Sequence, residues 1–242
     1  MKVLVIGDVC RDVYHYGSTK RKNPEASAPL LNDVIVEVKY GMAANVAVNL
    51  TALGAEVHTN FPPDHQWSEK ERYIDFSYGT QLLRVDYDRP CDPMGQLLDL
   101  SMYDAVVVSD YEKGFVSHDI LQKLDGKLPV FIDTKKTKLD YLFESWVKIN
   151  YTENELLKAP PENLVVTLGN RGSMYNGQYA PAKVIEVVDP CGAGDTYLAS
   201  FAWHMIREPD NVMGAMEFAN KAAAVTCQHR GTYAPTLEEI HR

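Results

Sequence analysis

The chain lacks the long apolar runs and paired cysteines that mark several classes of protein. No window approaches the ~20 apolar residues of a membrane span, and "MKVLVIGDVC" passes from a short apolar run directly into Gly7 and Asp8. This pattern predicts a buried first strand rather than a signal peptide. The four cysteines form no C-x-x-C pair, so neither a disulfide framework nor a zinc site is expected. We expect a cytoplasmic protein with reduced thiols and no membrane attachment.

An excess of positive charge is also missing. The formal net charge is −9, which disfavours nucleic acids and anionic membranes as partners. A local basic pocket for a phosphorylated ligand remains compatible with this charge. With 242 residues, of which 45% are hydrophobic, the chain can bury a sizeable core, and we expect a single domain over residues 1–242.

Short, nearly all-apolar runs end at polar corners along the chain. Runs of this kind are typical of strands buried on both faces, as in a parallel sheet covered by helices. They occur at 2–8, 104–110, 128–134 and 163–169. Helical patterns lie between or after them, at 43–55, 117–127, 193–208 and 212–231. The alternation predicts an α/β fold with a doubly wound, mostly parallel sheet flanked by helices.

Two segments interrupt this alternation. Residues 12–40 contain short alternating strands and a turn rich in proline and serine, with no helical pattern. Residues 72–88 have the pattern of a second hairpin. Together these segments predict a small β lid over one end of the sheet.

Aspartates stand at the carboxyl ends of several predicted strands, where open α/β sheets bind their ligands. They are Asp8, Asp110, Asp133 and Asp189. Each alone is also a common turn or cap residue. Together they predict a negative rim that faces cations, hydroxyls or magnesium.

The segment "GAGD" at 192–195 follows a strand and opens a helix. Its glycines allow a sharp turn, and the free N–H groups of the helix N-terminus form an anion hole. Asp195 stands beside that hole, where a carboxylate can take a proton from a hydroxyl while the hole holds a phosphoryl group. The alternative is an ordinary helix start with a capping aspartate.

Several segments, in unbroken order, resemble the ribokinase-like (PfkB) carbohydrate kinase family. They include "VIGDVCRDVYHYGSTKRKNPEASAPL", "YGMAANVAVNLTALGA", "VVSDYEKG", "FIDTKK", "NYTENE" and "DPCGAGDT". Within the family, the chain is most similar to the heptose 7-phosphate kinases. The resemblance implies transfer of the γ-phosphate of ATP, with Mg²⁺, to a sugar hydroxyl, here the anomeric hydroxyl of a heptose 7-phosphate.

The resemblance also implies roles for individual residues. It makes Asp195 the base and gives the anion hole to the backbone of Gly192, Ala193 and Gly194. It implies water-mediated magnesium contacts for Asn150 and Glu153. The residues implied to contact the nucleotide are, with these two, Thr167, Gly169, Gly172, Asn220 and Ala223. Those implied to contact the sugar or its phosphate are Asp12, Arg21, Lys22, Gly41, Asn45 and Lys113.

Some of these residues have alternative roles. Asn45 could satisfy a cap or the core, and Asn220 could face solvent. Lys113 could be a solvated loop lysine, and Arg21 with Lys22 could form only an exposed turn. Each alternative stays open from the sequence alone.

The chain departs from the family pattern at three places. Met42 replaces the second glycine of a Gly-Gly pair, which predicts a narrower sugar pocket. After position 61 a helix and a strand are missing, which predicts exposed apolar surface and a homodimer joined through the lids. Cys191 replaces a threonine or serine and is either a small filler or a thiol of lowered pKa.

Other functions remain as alternatives. A kinase for ribose, a fructose phosphate or a nucleoside would use the same motifs. A catalytically silent sugar-phosphate or nucleotide binder is motivated by the shortened middle of the chain. A Rossmann-type dehydrogenase is disfavoured, because "GDVCRD" follows the first strand where G-x-G-x-x-G would be needed.

Overall fold

The computed structural model describes all 242 residues, which form two β-sheets and six helices. The strands of the larger sheet are β1 (Lys2–Gly7), β4 (Glu56–Asn60), β7 (Ala105–Asp110), β8 (Val130–Thr134), β9 (Trp146–Asn150), β10 (Asn163–Thr167), β11 (Gly172–Tyr175) and β12 (Gln178–Pro181). Those of the smaller sheet are β2 (Val9–Ser18), β3 (Asn32–Met42), β5 (Ser68–Asp75) and β6 (Thr80–Tyr87). The helices are α1 (Ala43–Ala52), α2 (His118–Leu124), α3 (Tyr151–Leu156), α4 (Ala193–Arg207), α5 (Val212–Cys227) and α6 (Leu237–His241).

The larger sheet has the strand order β12-β11-β10-β9-β8-β7-β1-β4. Within this sheet the neighbouring strands β4, β1, β7, β8, β9 and β10 pair in parallel, and the antiparallel pairs are β10 with β11 and β11 with β12. The predicted doubly wound, mostly parallel sheet is therefore confirmed. No helix is long and apolar enough to cross a membrane.

Strand β1 shows why the apolar runs indicate a sheet covered on both faces. Val3 and Val5 pack into one hydrophobic cluster, with residues of α1, α4 and α5. Leu4 and Ile6 pack into a second cluster, with residues of α2. Successive side chains of a strand point to opposite faces, so a strand between two helical layers must be apolar throughout.

The smaller sheet, which we call the lid, has the order β3-β2-β5-β6. Strand β2 follows β1 after a single residue, so the chain passes from one sheet to the other at Asp8. The lid strands extend a few residues beyond the predicted segments, because Val9, Met42 and Ser68 are already paired or buried. The small second sheet that belongs to the predicted fold is confirmed.

The shortened segment lies between β4 and β5, where only a single 3-10 turn (Asp64–Gln66) is present. Residues 88–104, which form no helix or strand, cover the neighbouring face of the sheet, with Cys91 and Met94 buried in the second cluster. Much of the exposed apolar surface lies instead on the lid. Val36 and Leu83 there are 54% and 56% exposed.

Candidate active site

Asp195 lies in the first turn of α4 and is 5% exposed. Gly192, the N-cap residue, has the left-handed φ of 79° that a glycine adopts without strain. The Asp195 carboxylate accepts two hydrogen bonds, one from Asn45 Nδ2 at 2.9 Å and one from the Tyr111 hydroxyl at 3.2 Å. Helix α1 and the loop after β7 therefore both hold the carboxylate at the helix N-terminus.

Burial raises the pKa of Asp195 to about 6, with a further contribution from the negative charge of Asp133. The hydrogen bond from Asn45 and the positive charge of Lys148 act in the opposite direction. A carboxylate with a pKa near 6 is ionised at neutral pH and is a stronger base than an exposed aspartate. Its position and pKa suit proton abstraction.

Lys148 brings a positive charge to the same place. Its Nζ lies 2.5 Å from Asp133 Oδ2, and its side chain is 6% exposed. A Cβ atom built on Gly194 would lie 3.2 Å from Nζ. The lysine therefore stands directly beside the backbone of "GAGD", where an anion would bind.

The aspartates at the strand ends do not form the predicted ligand-facing rim. Asp110 accepts from Lys136 Nζ at 2.6 Å, and Asp8 accepts from the backbone N–H groups of Tyr111 and Lys113 at 2.8 and 3.1 Å. Asp189 accepts from the backbone N–H groups of Cys191 and Gly231, each at 2.9 Å. That expectation is wrong, because each of these carboxylates is buried or bound by internal lysines or loop N–H groups, and only Asp8 Oδ1 and Asp133 Oδ1 have no hydrogen-bond partner.

A cavity of about 500 Å³ lies beside the N-terminus of α4. Seven of the residues predicted for the nucleotide or the anion hole line it: Thr167, Gly169, Gly172, Ala193, Gly194, Asn220 and Ala223. Asn220 is buried, and its Nδ2 donates to Ala180 O at 2.9 Å, so it does not face solvent. Ile185, Val187 and Tyr197 also line the cavity, and nothing in their local sequence pattern distinguishes them.

Asn150 and Glu153 form a capping box at the start of α3. Asn150 Oδ1 accepts from the Glu153 N–H at 2.9 Å, and Glu153 Oε2 accepts from the Asn150 N–H at 2.8 Å. Glu153 also pairs with Lys135. No three metal-ligating side chains cluster anywhere in the protein. The donor set fits a magnesium ion that keeps most of its waters and reaches these oxygens through them, but not a protein cage.

The predicted sugar-side residues fall into two groups. The first group lies at the base of the lid. Asn45 donates a hydrogen bond to Asp195. Gly41 packs so closely against Asp12 that a Cβ atom at position 41 would clash with Asp12 Oδ2. Asp12 itself is 2% exposed and paired with Arg72. The second group, Lys113, Arg21 and Lys22, forms no hydrogen bond or ion pair with Asn45, Gly41 or Asp12. Lys113 Nζ binds Asp88 Oδ1 at 2.6 Å, while Arg21 and Lys22 are exposed in the turn between β2 and β3.

Cys191 lies between the lid and the start of α4. Its Sγ accepts from the Tyr14 hydroxyl at 3.8 Å and from Arg72 Nη2 at 3.7 Å. Burial raises the pKa of the thiol, which favours the filler over the reactive thiolate.

Met42 is the N-cap residue of α1 and is 2% exposed. Its φ of 59° and ψ of −135° lie in a region that glycine adopts readily and that strains other residues. The backbone at this position therefore retains the shape of the glycine that the family resemblance implies.

Four residues near Asp195 or Cys191 are not among the residues predicted for the site: Lys70, whose Nζ lies 5.7 Å from the centroid of the Tyr111 ring, Arg72, Tyr111 and Lys148. Tyr111 lies within the quoted "VVSDYEKG", and Lys148 stands two residues before "NYTENE". Lys148 could have been identified from its position in the otherwise apolar strand WVKIN. A lysine buried in such a strand needs a negatively charged partner, which points to an internal ion pair.

Comparison with solved structures identifies the fold. Ribokinase from Cryptococcus neoformans in complex with ADP matches with a TM-score of 0.70 and 15% identity, over 99% of this chain and 98% of that one. Phosphofructokinase-2 from Escherichia coli in complex with potassium matches with a TM-score of 0.70 and 15% identity, over 100% and 96%. The fold is therefore ribokinase-like.

Sequence comparison identifies the family. The model of the pfkB family carbohydrate kinases matches residues 143–240. The bifunctional protein HldE of Photobacterium profundum is 30% identical over 98% of this chain, which spans only 62% of that relative's length. The D-beta-D-heptose 7-phosphate kinase of Bordetella bronchiseptica is 31% identical over 99% of this chain and 95% of its own length. On this evidence the chain belongs to the PfkB family of carbohydrate kinases.

Proposed function

We propose that the protein transfers the γ-phosphoryl group of ATP to a hydroxyl of a sugar phosphate, with Asp195 as the base. One observation carries this proposal. Asp195, with a pKa of about 6, lies at a helix N-terminus whose glycine loop borders both a cavity of about 500 Å³ and the Lys148 ammonium. Base, anion hole and cation are the three parts that phosphoryl transfer requires.

In the proposed reaction, Asp195 takes the proton of the sugar hydroxyl as the hydroxyl oxygen attacks the γ-phosphorus. The new O–P bond forms while the bond from the γ-phosphorus to the bridging oxygen breaks, and ADP leaves with that electron pair. The N–H groups of Ala193 and Gly194, with Lys148, neutralise the charge on the transferred oxygens. Asp195 then holds the proton.

Magnesium, when bound, would neutralise the charge of the triphosphate and orient it. Asn150 and Glu153 are the residues proposed to hold it through water. Their capping box keeps both side chains at the end of β9. Lys135 pairs with Glu153 and lies 4.9 Å from the ring centroid of Tyr111, whose hydroxyl donates to Asp195. The nucleotide base would occupy the part of the cavity lined by Asn220 and Ala223.

For the acceptor we propose the anomeric hydroxyl of a heptose 7-phosphate. The support is the likeness to the Bordetella heptose 7-phosphate kinase along nearly the whole of both chains. Arg21 and Lys22 of the exposed turn are proposed to reach the distal phosphate, together with Lys113. Asp12, Gly41 and Asn45 are proposed to contact the sugar hydroxyls.

We further propose that the protein is a homodimer that works in the cytoplasm, where ATP is available. Four residues stand opposite one another on the four neighbouring lid strands and form one row across the lid: Val36, His15, Tyr73 and Leu83. Paired residues share a face of a sheet, and the two ends of this row, Val36 and Leu83, are more than half exposed. A second lid would cover the exposed apolar ends of this row.

A panel assay separates these proposals from their alternatives. The purified protein is incubated with ATP, magnesium and one acceptor at a time, and ADP release is coupled to an optical signal. Turnover restricted to heptose 7-phosphate supports the acceptor proposed here, and preferential turnover of ribose, a fructose phosphate or a nucleoside reassigns it. Calorimetric binding of ligands without turnover of any acceptor would indicate the silent binder and overturn the proposed activity.

A further inference from the structure

Tyr111 connects two buried carboxylates. Its backbone N–H donates to Asp8 Oδ2 at 2.8 Å, and its hydroxyl donates to Asp195 Oδ1 at 3.2 Å. The first bond fixes the residue at the end of β7, and the second directs its hydroxyl at the proposed base. Both ends of this residue are therefore held.

Two lysines from different parts of the fold lie close to the Tyr111 ring. Lys135 Nζ, from the loop after β8, lies 4.9 Å from the ring centroid, and Lys70 Nζ, from β5 of the lid, lies 5.7 Å from it. Both distances are in the range of cation–π attraction. The ring is thus a contact point between the lid and the body of the protein.

We propose that Tyr111 is a positioning residue for Asp195 and that Lys70 of the lid holds it in place. This proposal rests on the function proposed above. A hydroxyl that donates to a carboxylate stabilises the ionised form. Asn45 holds one oxygen of Asp195 and Tyr111 holds the other, and each oxygen retains a lone pair for the proton of the acceptor.

Several titratable or charged groups face Asp195 from the surrounding elements. They are Cys10 of β2, Tyr111 after β7, Asp133 of β8, Lys135 after β8 and Lys148 of β9. Replacing a lysine or an aspartate changes the net charge of the cluster. Tyr111→Phe removes one hydrogen bond and leaves these charges and the ring in place, so it isolates the contribution of the hydroxyl.

The test is the pH dependence of kcat/KM for Tyr111→Phe with ATP, magnesium and the best acceptor. Loss of the hydrogen bond raises the pKa of Asp195, so the acidic limb is expected to move up by about 0.5 to 1 pH unit. Tyr103→Phe is the matched control, because it removes a hydroxyl that contacts only His58, at 3.1 Å. The acidic limb of the kcat/KM profile of Tyr103→Phe is expected to coincide with that of the unmodified protein.

A measurement without turnover keeps this test separate from the proposed function. The ¹³C chemical shift of the Asp195 carboxyl group, assigned by its loss in Asp195→Asn, is titrated in the unmodified protein and in Tyr111→Phe. An upward shift of the titration supports the proposal even if no acceptor is turned over. Coincident titrations of the two proteins would overturn it even in an active kinase.

Lys70→Met tests the part played by the lid. It removes the charge near the ring and keeps the Tyr111 hydroxyl. Because loss of a positive charge can itself raise the pKa of Asp195, the substitution is made both in the unmodified protein and in Tyr111→Phe. If Lys70 acts through Tyr111, Lys70→Met shifts the carboxyl titration of Asp195 upward only where the Tyr111 hydroxyl is present. An equal shift in both proteins, or no shift in either, would contradict the role of Lys70.

Discussion

Lys148 and Asp133 form a buried ion pair beneath the anion hole, with Nζ 2.5 Å from Oδ2 and both side chains less than a tenth exposed. A second oxygen, Asp133 Oδ1, has no hydrogen-bond partner. A buried pair of this kind contributes little net stability, because desolvation offsets the attraction between the charges. Its place beside Gly194 puts a cation where the phosphoryl group of the proposed reaction would bind.

Lys148→Met should therefore lower kcat by about 10²–10³-fold, the loss typical of one transition-state donor. It should also destabilise the fold by roughly 3–5 kcal/mol, because Asp133 keeps an uncompensated buried charge. Lys136→Met is the matched control: it breaks the buried pair with Asp110 but does not touch Gly194. Steady-state kinetics and urea unfolding of both variants separate the two effects. An equal loss of kcat in both would contradict the placement of Lys148 at the phosphoryl group.

Asp195→Asn should stabilise the protein above pH 6. The pKa of Asp195 is raised from 3.8 to about 6 on folding, so the folded state binds the proton more tightly than the unfolded state. The ionised carboxylate therefore destabilises the fold, fully above pH 6 and not at all below about pH 4. The expected gain at pH 8 is about 3 kcal/mol, measured by urea unfolding at pH 8 and pH 4. A gain of equal size at both pH values would show that the charge is not its cause.

Met42 allows a test of backbone strain. Met42→Ala removes a buried side chain and keeps the strained φ of 59°, while Met42→Gly removes the side chain and relieves the strain. The glycine variant should be the more stable by about 1 kcal/mol, although glycine is usually the less stable replacement. Thermal unfolding of the two variants measures the difference. A more stable alanine variant would indicate that the backbone at this position is not strained.

The proposed dimer is tested at Val36, the exposed end of the row of paired residues on the lid. Val36→Lys places a charge at its exposed end and should convert the protein from twice 27.2 kDa to 27.2 kDa in analytical ultracentrifugation. Val48→Lys is a suitable control, because Val48 is similarly exposed but lies on α1. A monomeric unmodified protein, or dissociation by both substitutions, would contradict association through the lid.

Four strands of the larger sheet and four of the six helices could be predicted because their apolar patterns are local, whereas β4, β9, β11, β12, α3 and α6 are too short or too polar to be distinguished in this way. The runs at 2–8 and 128–134 are buried on both faces of the sheet, and the helix at 193–208 is recognisable from its period and its glycine start. The lid could also be located, because alternating apolar and polar residues without a helical period are typical of strands with one exposed face. Only the ends of these elements differ, where pairing extends a strand by a few residues.

The contacts within the site could not be predicted, because they join residues far apart in the chain. Tyr111 and Asn45 meet Asp195 across 84 and 150 positions. The sequence offers several lysines and several aspartates near the strand ends, and nothing local determines that Lys148 pairs with Asp133 and Lys136 with Asp110. The expectation of a free negative rim is wrong for this reason.

The central claim, that Asp195 is the base of a sugar kinase, is tested most directly by ADP release in Asp195→Asn. With heptose 7-phosphate, ATP and magnesium, kcat should fall by about 10²–10⁴-fold, while calorimetry should find ATP binding within a few-fold of the unmodified protein. A variant that binds ATP and keeps the kcat of the unmodified protein would contradict the assignment.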